Sequence, residues 1–189
     1  MSAASKERFE AIVLPHLDAV HRMACALGSS EAEVDDLVQE TFIRGFRAFN
    51  GFELREYGAR PWLFRILHNV FYTSKTRERR APTLLDDVDF DHFEDELADD
   101  NTTPMSAASM DWDQFDDEVK RAVLDLQPEY RFVLLLWAIE GLTYREIADV
   151  CHCAMGTIMS RLYRGRQILG KRLRNYAREH GLLKERDSI

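Results

Sequence analysis

Along residues 6–28, KERFEAIVLPHLDAVHRMACALG, the apolar positions are Phe9, Ile12, Val13, Leu17, Val20, Met23 and Leu27. Spacings of three and four residues place them on one face of an amphipathic helix, and Pro15, which has no N–H for the helix interior, predicts a kink. Gly28 ends this segment. Ser30-Glu-Ala-Glu33 then forms a capping-box pattern and opens a helix through about Phe49, with Val34, Leu37, Val38, Thr41, Gly45 and Phe49 along one stripe. Pro61 opens the next helix, in which Trp62, Leu63, Phe64, Ile66 and Leu67 are dense enough to be largely core. Residues 81–111 lose the periodicity, carry Pro82 and Pro104, and read as a linker with a short helix near residues 84–97. Periodicity returns at residues 112–126, where Trp112, Phe115, Val119, Val123 and Leu126 mark one further helix.

Residues 127–174 combine two short helices, a tight turn and a basic third helix, the pattern of a helix-turn-helix. The first begins at Pro128, runs through PEYRFVLLLWAIE and stops at Gly141. The second opens with Thr143-Tyr-Arg-Glu146, a capping box worth about 1 kcal/mol. After Val150 the turn is Cys-His-Cys-Ala. The third helix, MGTIMSRLYRGRQILGKRLRNYARE, places Ile158, Leu162, Ile168 and Leu169 on one face and Arg161, Arg164 and Arg166 on others.

The net charge of −8 argues against a nucleic-acid binder only until it is divided along the chain. Residues 82–118 hold fourteen Asp or Glu and no Lys or Arg, so the remainder carries 25 basic against 19 acidic side chains, a net of +6. Residues 60–80 have six basic and one acidic, and residues 155–189 have nine and three. Two separate positive patches are what two phosphate-contacting modules need. In the first, Arg60, Arg65, His68, Asn69, Phe71, Tyr72, Lys75, Arg77, Arg79 and Arg80 mix base, amide and ring. Arginines hold phosphates, rings stack on unpaired bases, and an amide both donates and accepts at a base edge, the requirements of single-stranded DNA recognition. In the second, Thr157, Ser160, Arg161, Tyr163, Arg164 and Arg166 are candidates for the major groove, where arginine forks to guanine and hydroxyls bond phosphates.

The segments GLTYREIADV and GTIMSRLYRGR resemble region 4, the −35-reading domain of extracytoplasmic-function sigma factors, and DDLVQETFIRGFRAF resembles their region 2.2. The resemblance covers residues 5–80 and 112–180 in the family's order. It implies an all-α protein of two small helical domains: residues 5–80 for core polymerase binding and −10 recognition and melting, an acidic flexible linker at 81–111, residues 112–180 for −35 recognition, and a tail at 181–189. It implies further that Asp35, Asp36, Gln39, Glu40 and Arg44 dock on the coiled coil of the polymerase β′ subunit, and that the C-terminal domain meets the β flap. For −10 it implies Arg65, His68, Asn69, Phe71, Tyr72, Lys75 and Arg77, with Asn69 in a loop after the Trp-containing helix that captures a flipped base. By the match GTIMSRLYRGR, Ser160, Tyr163 and Arg164 approach bases while Arg161 and Arg166 hold the backbone. Met159 stands where the family frequently has a basic residue, and a thioether can contact a thymine methyl but cannot fork to guanine. The run from MSRLYRGR to YAREHGLL resembles members held by zinc-containing, redox-responsive anti-sigma proteins.

Cys151, His152 and Cys153 are the one group of His and Cys neighbours in the chain, but zinc takes four ligands with thiolates two to four residues apart, and no second pair lies nearby. The triplet is expected to serve turn packing, a thiol sensor being the alternative if a lowered pKa accompanies it. Cys25 is expected to be buried. An odd number of cysteines and the absence of any run near about 18 apolar residues point to a soluble cytoplasmic protein without stable membrane insertion. No glycine-rich phosphate loop or nucleophile–His–acid set is present, so neither an enzyme nor a cofactor is expected. The rivals are a freestanding helix-turn-helix regulator of duplex operators, which leaves residues 60–80 unexplained, and a small thiol or zinc enzyme centred on the triplet.

Overall fold

A computed structural model describes residues 3–54, 58–78 and 112–181. The described residues are all-helical. Helix α1 (Ala3–Val13) is broken from α2 (Leu17–Leu27) by a 3-10 turn at Leu14–His16, as the missing N–H of Pro15 requires. Gly28 follows at a close approach of backbones: a Cβ there would stand 2.9 Å from Val34 Cγ2 and 3.2 Å from the Ala24 carbonyl oxygen.

Helix α3 (Glu31–Ala48) starts at Ser30, whose hydroxyl accepts from the Glu33 N–H. The predicted box is only half formed, because the Glu33 carboxylate accepts from the N–H and hydroxyl of Ser29, at 2.8 and 2.7 Å. Leu37, Thr41, Gly45 and Phe49 are buried along the expected stripe, and Gly45 lets α3 lie against Trp62, Leu63 and Ile66 of α4 (Arg60–Glu78). The predicted linker at 81–111 and its short helix lie outside the described residues.

The single helix expected over residues 112–126 is two pieces, a 3-10 turn at Trp112–Gln114 and α5 (Asp117–Leu124). Asp116 is extended at the N-cap, and Asp117 and Glu118 fill the first turn, where the helix dipole favours negative charge. Helix α6 (Pro128–Ala138) is followed at Gly141 by a φ of 65° that turns the chain, so that the Leu142 N–H reaches back to the Leu136 carbonyl at 3.1 Å. Helix α7 (Tyr144–Cys151) has the full capping box: Glu146 N–H to Thr143 hydroxyl and Thr143 N–H to Glu146 carboxylate. The long basic helix breaks at Leu173 into α8 (Met155–Arg172) and α9 (Arg174–Glu179). No helix among the described residues is long and apolar enough to cross a membrane.

The buried apolar residues form one contiguous cluster from Phe9 to Leu162 that runs through both helical groups. Helices α2 and α4 pack against α5, α6 and α7. Arg131 of α6, itself 8% exposed, donates to the carbonyls of Leu27 at 2.8 Å, Leu126 at 3.1 Å and Leu124. Leu27 and Leu124 are the last residues of α2 and α5, so one guanidinium satisfies carbonyls that two helix ends leave without an intrahelical donor.

Candidate nucleic-acid interface

At about 100° of rotation per residue, the faces of α8 follow from its burial pattern. Ile158, Leu162 and Gly165 are buried against the helices beneath, so Ser160, Tyr163 and Gln167 lie on the opposite face, with Thr157, Arg161 and Arg164 on one flank and Arg166 on the other. Tyr163 is 39% exposed. The Ser160 hydroxyl donates to the Thr157 carbonyl at 3.0 Å. Arg164 donates to the Tyr130 hydroxyl at 3.4 Å. Arg166 lies 4.8 Å from the Trp137 ring centre and donates to the Tyr144 hydroxyl at 3.4 Å. These tyrosine contacts are long for hydrogen bonds, so the guanidiniums are oriented but not locked. Met159 is half-buried beside this face.

On α4, Arg65, His68, Asn69 and Tyr72 share one face by the same helical arithmetic. Asn69 is exposed in the middle of this helix, not in a loop after it, which corrects the expected position of that residue. The rest of the face is covered by the C-terminal helices. Arg65 donates to the Asp149 carbonyl at 3.0 Å. The His68 ring stands edge-on to Phe132 at 4.9 Å and 4.4 Å from the Tyr72 ring. Phe71 is fully buried, stacked on Phe132 at 6.1 Å. Burial lowers the His68 pKa to about 4, against a hydrogen bond from the ring to the Asn69 amide oxygen that raises it, and Arg161 and His152 lower it further. Burial also raises the Tyr72 phenol, with Arg161 opposing. The side chains of Lys75 and Arg77 lie outside the described residues, although α4 carries their backbone.

On α3, Asp36, Gln39, Glu40 and Arg44 line a groove of about 630 Å³ together with Ile43 of the same helix and Val70, Thr73 and Ser74 of α4. Asp35, exposed, is not among its lining residues, and Arg44 pairs with Glu40 at 2.6 Å. A second cavity of about 290 Å³ lies at the entrance to α4, lined by Gly51, Phe52, Glu53, Gly58, Pro61, Trp62, Arg65 and, from α7, Asp149. Phe52 and Trp62 lie 4.6 Å apart at its wall. The short connection between α3 and α4 has no periodic signal of its own, so the sequence pattern passes over it.

The Cys-His-Cys triplet is spread over three environments. Cys151 is buried at the end of α7 and its thiol is pushed up to about 12, first by burial and then by Cys153. Burial raises the Cys153 thiol too. Neither thiol has the lowered pKa that a sensor requires. His152 takes the left-handed conformation, φ 52°, that reverses the chain between α7 and α8, so the triplet does serve the turn. Among the described residues no three His, Cys, Asp or Glu side chains are gathered to hold a metal. Cys25 is half-buried rather than buried, 3.6 Å from His21 Nδ1.

Glu140 is the residue that pattern reading misses. Its side chain is 1% exposed, and its carboxylate stands 3.6 Å from both Arg22 of α2 and Arg60 of α4. Arg60 also donates to the Glu140 backbone carbonyl at 2.8 Å. Burial raises the Glu140 carboxyl although both arginines lower it. The only sign of it in the sequence is a charge closing an otherwise apolar run.

Profiles for Sigma-70 region 2 and Sigma-70 region 4 match residues 12–81 and 116–169. The chain is 32% identical over 177 residues to the ECF RNA polymerase sigma factor SigE of Mycolicibacterium smegmatis, covering 94% of this chain and 64% of that relative's length. It is 30% identical over 158 residues to the ECF RNA polymerase sigma factor EcfG of Rhodopseudomonas palustris, covering 83% of this chain and 80% of the relative. Among solved structures, the sigma factor RpoE of Bartonella quintana in complex with the anti-sigma factor NepR superposes with a TM-score of 0.63 at 28% identity, over 89% of this chain and 98% of that one.

Proposed function

The chain belongs to the extracytoplasmic-function sigma factors of the sigma-70 family, and from that premise we propose that it joins core RNA polymerase in the cytoplasm and directs promoter-specific initiation. The observation that carries the reading is a pair of separate basic, ring-bearing faces on one chain, on α4 and on α8. Ser160, Tyr163 and Arg164 read base edges at −35, with Thr157, Arg161 and Arg166 on the flanking phosphates. At −10, Arg65, Lys75 and Arg77 hold phosphates, His68 and Tyr72 stack, Asn69 bonds a base edge, and Phe71 supports the rings from the core. The cavity at the entrance to α4 is the better receiver for a splayed-out base than Asn69, since it offers two aromatic walls with the Glu53 carboxylate and Arg65 as polar partners.

The groove bounded by Asp36, Gln39, Glu40 and Arg44, with Asp35 beside it, receives the β′ coiled coil, and the C-terminal domain meets the β flap. The domain limits follow as residues 5–80, 81–111 and 112–180. Polymerase supplies the chemistry and this chain supplies positions. An anti-sigma protein restrains it, as NepR is bound to the Bartonella relative, and by the sequence resemblance that partner contains zinc, which metal analysis of the co-purified complex reads directly.

Run-off transcription with core polymerase on a genomic promoter library, with transcript starts sequenced, tests the reading. Starts sharing paired −35 and −10 elements, lost with Arg164→Ala or with Asn69→Ala, are expected. No polymerase-dependent product, with duplex binding by the protein alone, would identify a freestanding regulator instead.

A further inference from the structure

Arg166 differs from its neighbours on α8 in how it is held. Its guanidinium lies 4.8 Å from the centre of the Trp137 ring, inside the distance of about 6 Å over which a cation is drawn to an aromatic face. Nη2 donates to the Tyr144 hydroxyl and Nε to the Leu162 carbonyl, both at 3.4 Å, and Nη1 meets no acceptor among the described residues. Arg166 is exposed nonetheless. The two rings come from different helices, Trp137 from the last turn of α6 and Tyr144 from the first residue of α7. Gly141, at φ 65°, and the capping box of Thr143 and Glu146 set the path between them, so the turn itself places both rings. Trp137 is half-buried at the end of a helix whose Phe132, Val133, Leu134, Leu135 and Leu136 are buried, and the arginine covers part of the indole that the core leaves out.

We propose that Trp137 is a positioning residue for −35 binding: it acts through Arg166, holding that guanidinium on the flank of α8 so that its free edge forks to a backbone phosphate. This rests on the assignment of Arg166 to the −35 backbone. A guanidinium stacked on a ring keeps its N–H groups in one plane and engages none of them with the ring, so the contact orients the fork without occupying a donor. An arginine on an open helix surface gives up side-chain freedom when it meets a phosphate, whereas Trp137 restricts Arg166 before DNA arrives. The choice of flank matters as well. Thr157, Arg161 and Arg164 stand on the other side of the base-facing Ser160 and Tyr163, so a fixed Arg166 gives the helix a phosphate anchor on each side. Such anchors set register without reading sequence.

The test uses holoenzyme assembled from core polymerase and the full chain. Binding is measured in the cold, where the duplex stays paired, by anisotropy of a fluorescein-labelled duplex carrying the most used promoter from the run-off library, over a series of potassium chloride concentrations. Arg166→Ala is expected to weaken binding and to make the slope of log affinity against log salt shallower by about 0.9, the loss of one phosphate contact. Trp137→Leu, with every charge in place, is expected to weaken binding about two- to fivefold, and Trp137→Phe, which keeps a ring face, to recover part of that loss. In the Arg166→Ala background Trp137→Leu is expected to add nothing, and across duplexes with single-base changes in the −35 element its effect is uniform. A loss that adds to that of Arg166→Ala, or that changes base preference, would overturn the proposal, because Trp137 would then act through the fold or on DNA directly. Full-strength binding by Trp137→Leu beside a weakened Arg166→Ala would also overturn it, and would leave Arg166 on the phosphates. No effect of Arg166→Ala on affinity or slope would overturn the assignment of Arg166 and the positioning role with it. If Trp137→Leu loses its helical circular dichroism, Trp137→Met, which keeps more of the bulk, enters the same cycle and is judged by the same outcomes.

Discussion

Arg131 offers the sharpest test of how the helices are held. Replacing it with methionine keeps a long, flexible stem of similar reach and removes only the guanidinium. Two of its acceptors, the carbonyls of Leu27 and Leu126, are reached in the buried interior, and the third, Leu124, is part-buried. A buried acceptor left without a donor costs about 1–3 kcal/mol. Two such carbonyls cost about 2–6 kcal/mol, and the third, within reach of water, adds little. Against this stands the guanidinium's own desolvation, which the substitution relieves. A net loss of about 3 kcal/mol is expected, a large share of the roughly 5–15 kcal/mol that holds a folded protein. With a urea slope of about 2 kcal/mol per molar, the denaturation midpoint followed by circular dichroism falls by about 1.5 M. Calorimetry should show the melting temperature lower by roughly 6–12 °C. Arg131→Lys, a single point donor in place of a planar fork, is expected to recover only part of the loss. A midpoint shift below about 0.5 M for Arg131→Met would refute the claim that this guanidinium satisfies the buried carbonyls of Leu27 and Leu126.

Three further expectations follow from local geometry. His152 sits at φ 52°, where a Cβ is strained, so His152→Gly is expected to stabilise by about 1 kcal/mol, and a lower urea midpoint would contradict it. Thr143→Ala removes the hydroxyl half of the complete capping box on α7 and should cost about 1 kcal/mol by the same measurement. His68 is held near pKa 4 by burial against the C-terminal domain, below the free value of 6.5, so that packing requires its neutral ring. Its contribution is complete above about pH 6.5 and is lost as pH falls toward 4, with about 2 kcal/mol gone by pH 5. Glu140 acts in the opposite sense, since its raised carboxyl favours the same packing as it protonates. Hydrogen exchange of α4 amides at pH 5 and 7.5 should therefore reveal acid-promoted opening in the wild type that His68→Phe abolishes; equal exchange profiles in the two proteins would dismiss the histidine.

The limits of α6, the N-cap of α7 and the stripe of α3 are readable because each depends on residues a few positions apart: Pro128 and Gly141 bracket α6, Thr143 meets Glu146, and Leu37, Thr41 and Gly45 repeat on the helical period. The split of residues 112–126 and the break at Leu173 are not, since the apolar period continues across both while the backbone turns. The exposed face of α8 can be assigned in advance, with Ser160 and Tyr163 opposite the buried stripe. Asn69 lies within α4 rather than in the expected loop because that helix runs on to residue 78, with no stop signal on the way.

Neighbouring residues alone establish that this chain is helical, that Thr143 and Glu146 cap α7, how its charge is segregated, and which family it resembles. What the charges inside the apolar runs are for is settled by the packing of distant helices. Arg131 finds Leu27 across 104 residues and Arg60 finds Glu140 across 80. Which guanidinium meets which buried acceptor, and whether the α4 face meets solvent or Phe132, depend on which helix surfaces come together, and no short-range pattern records that choice.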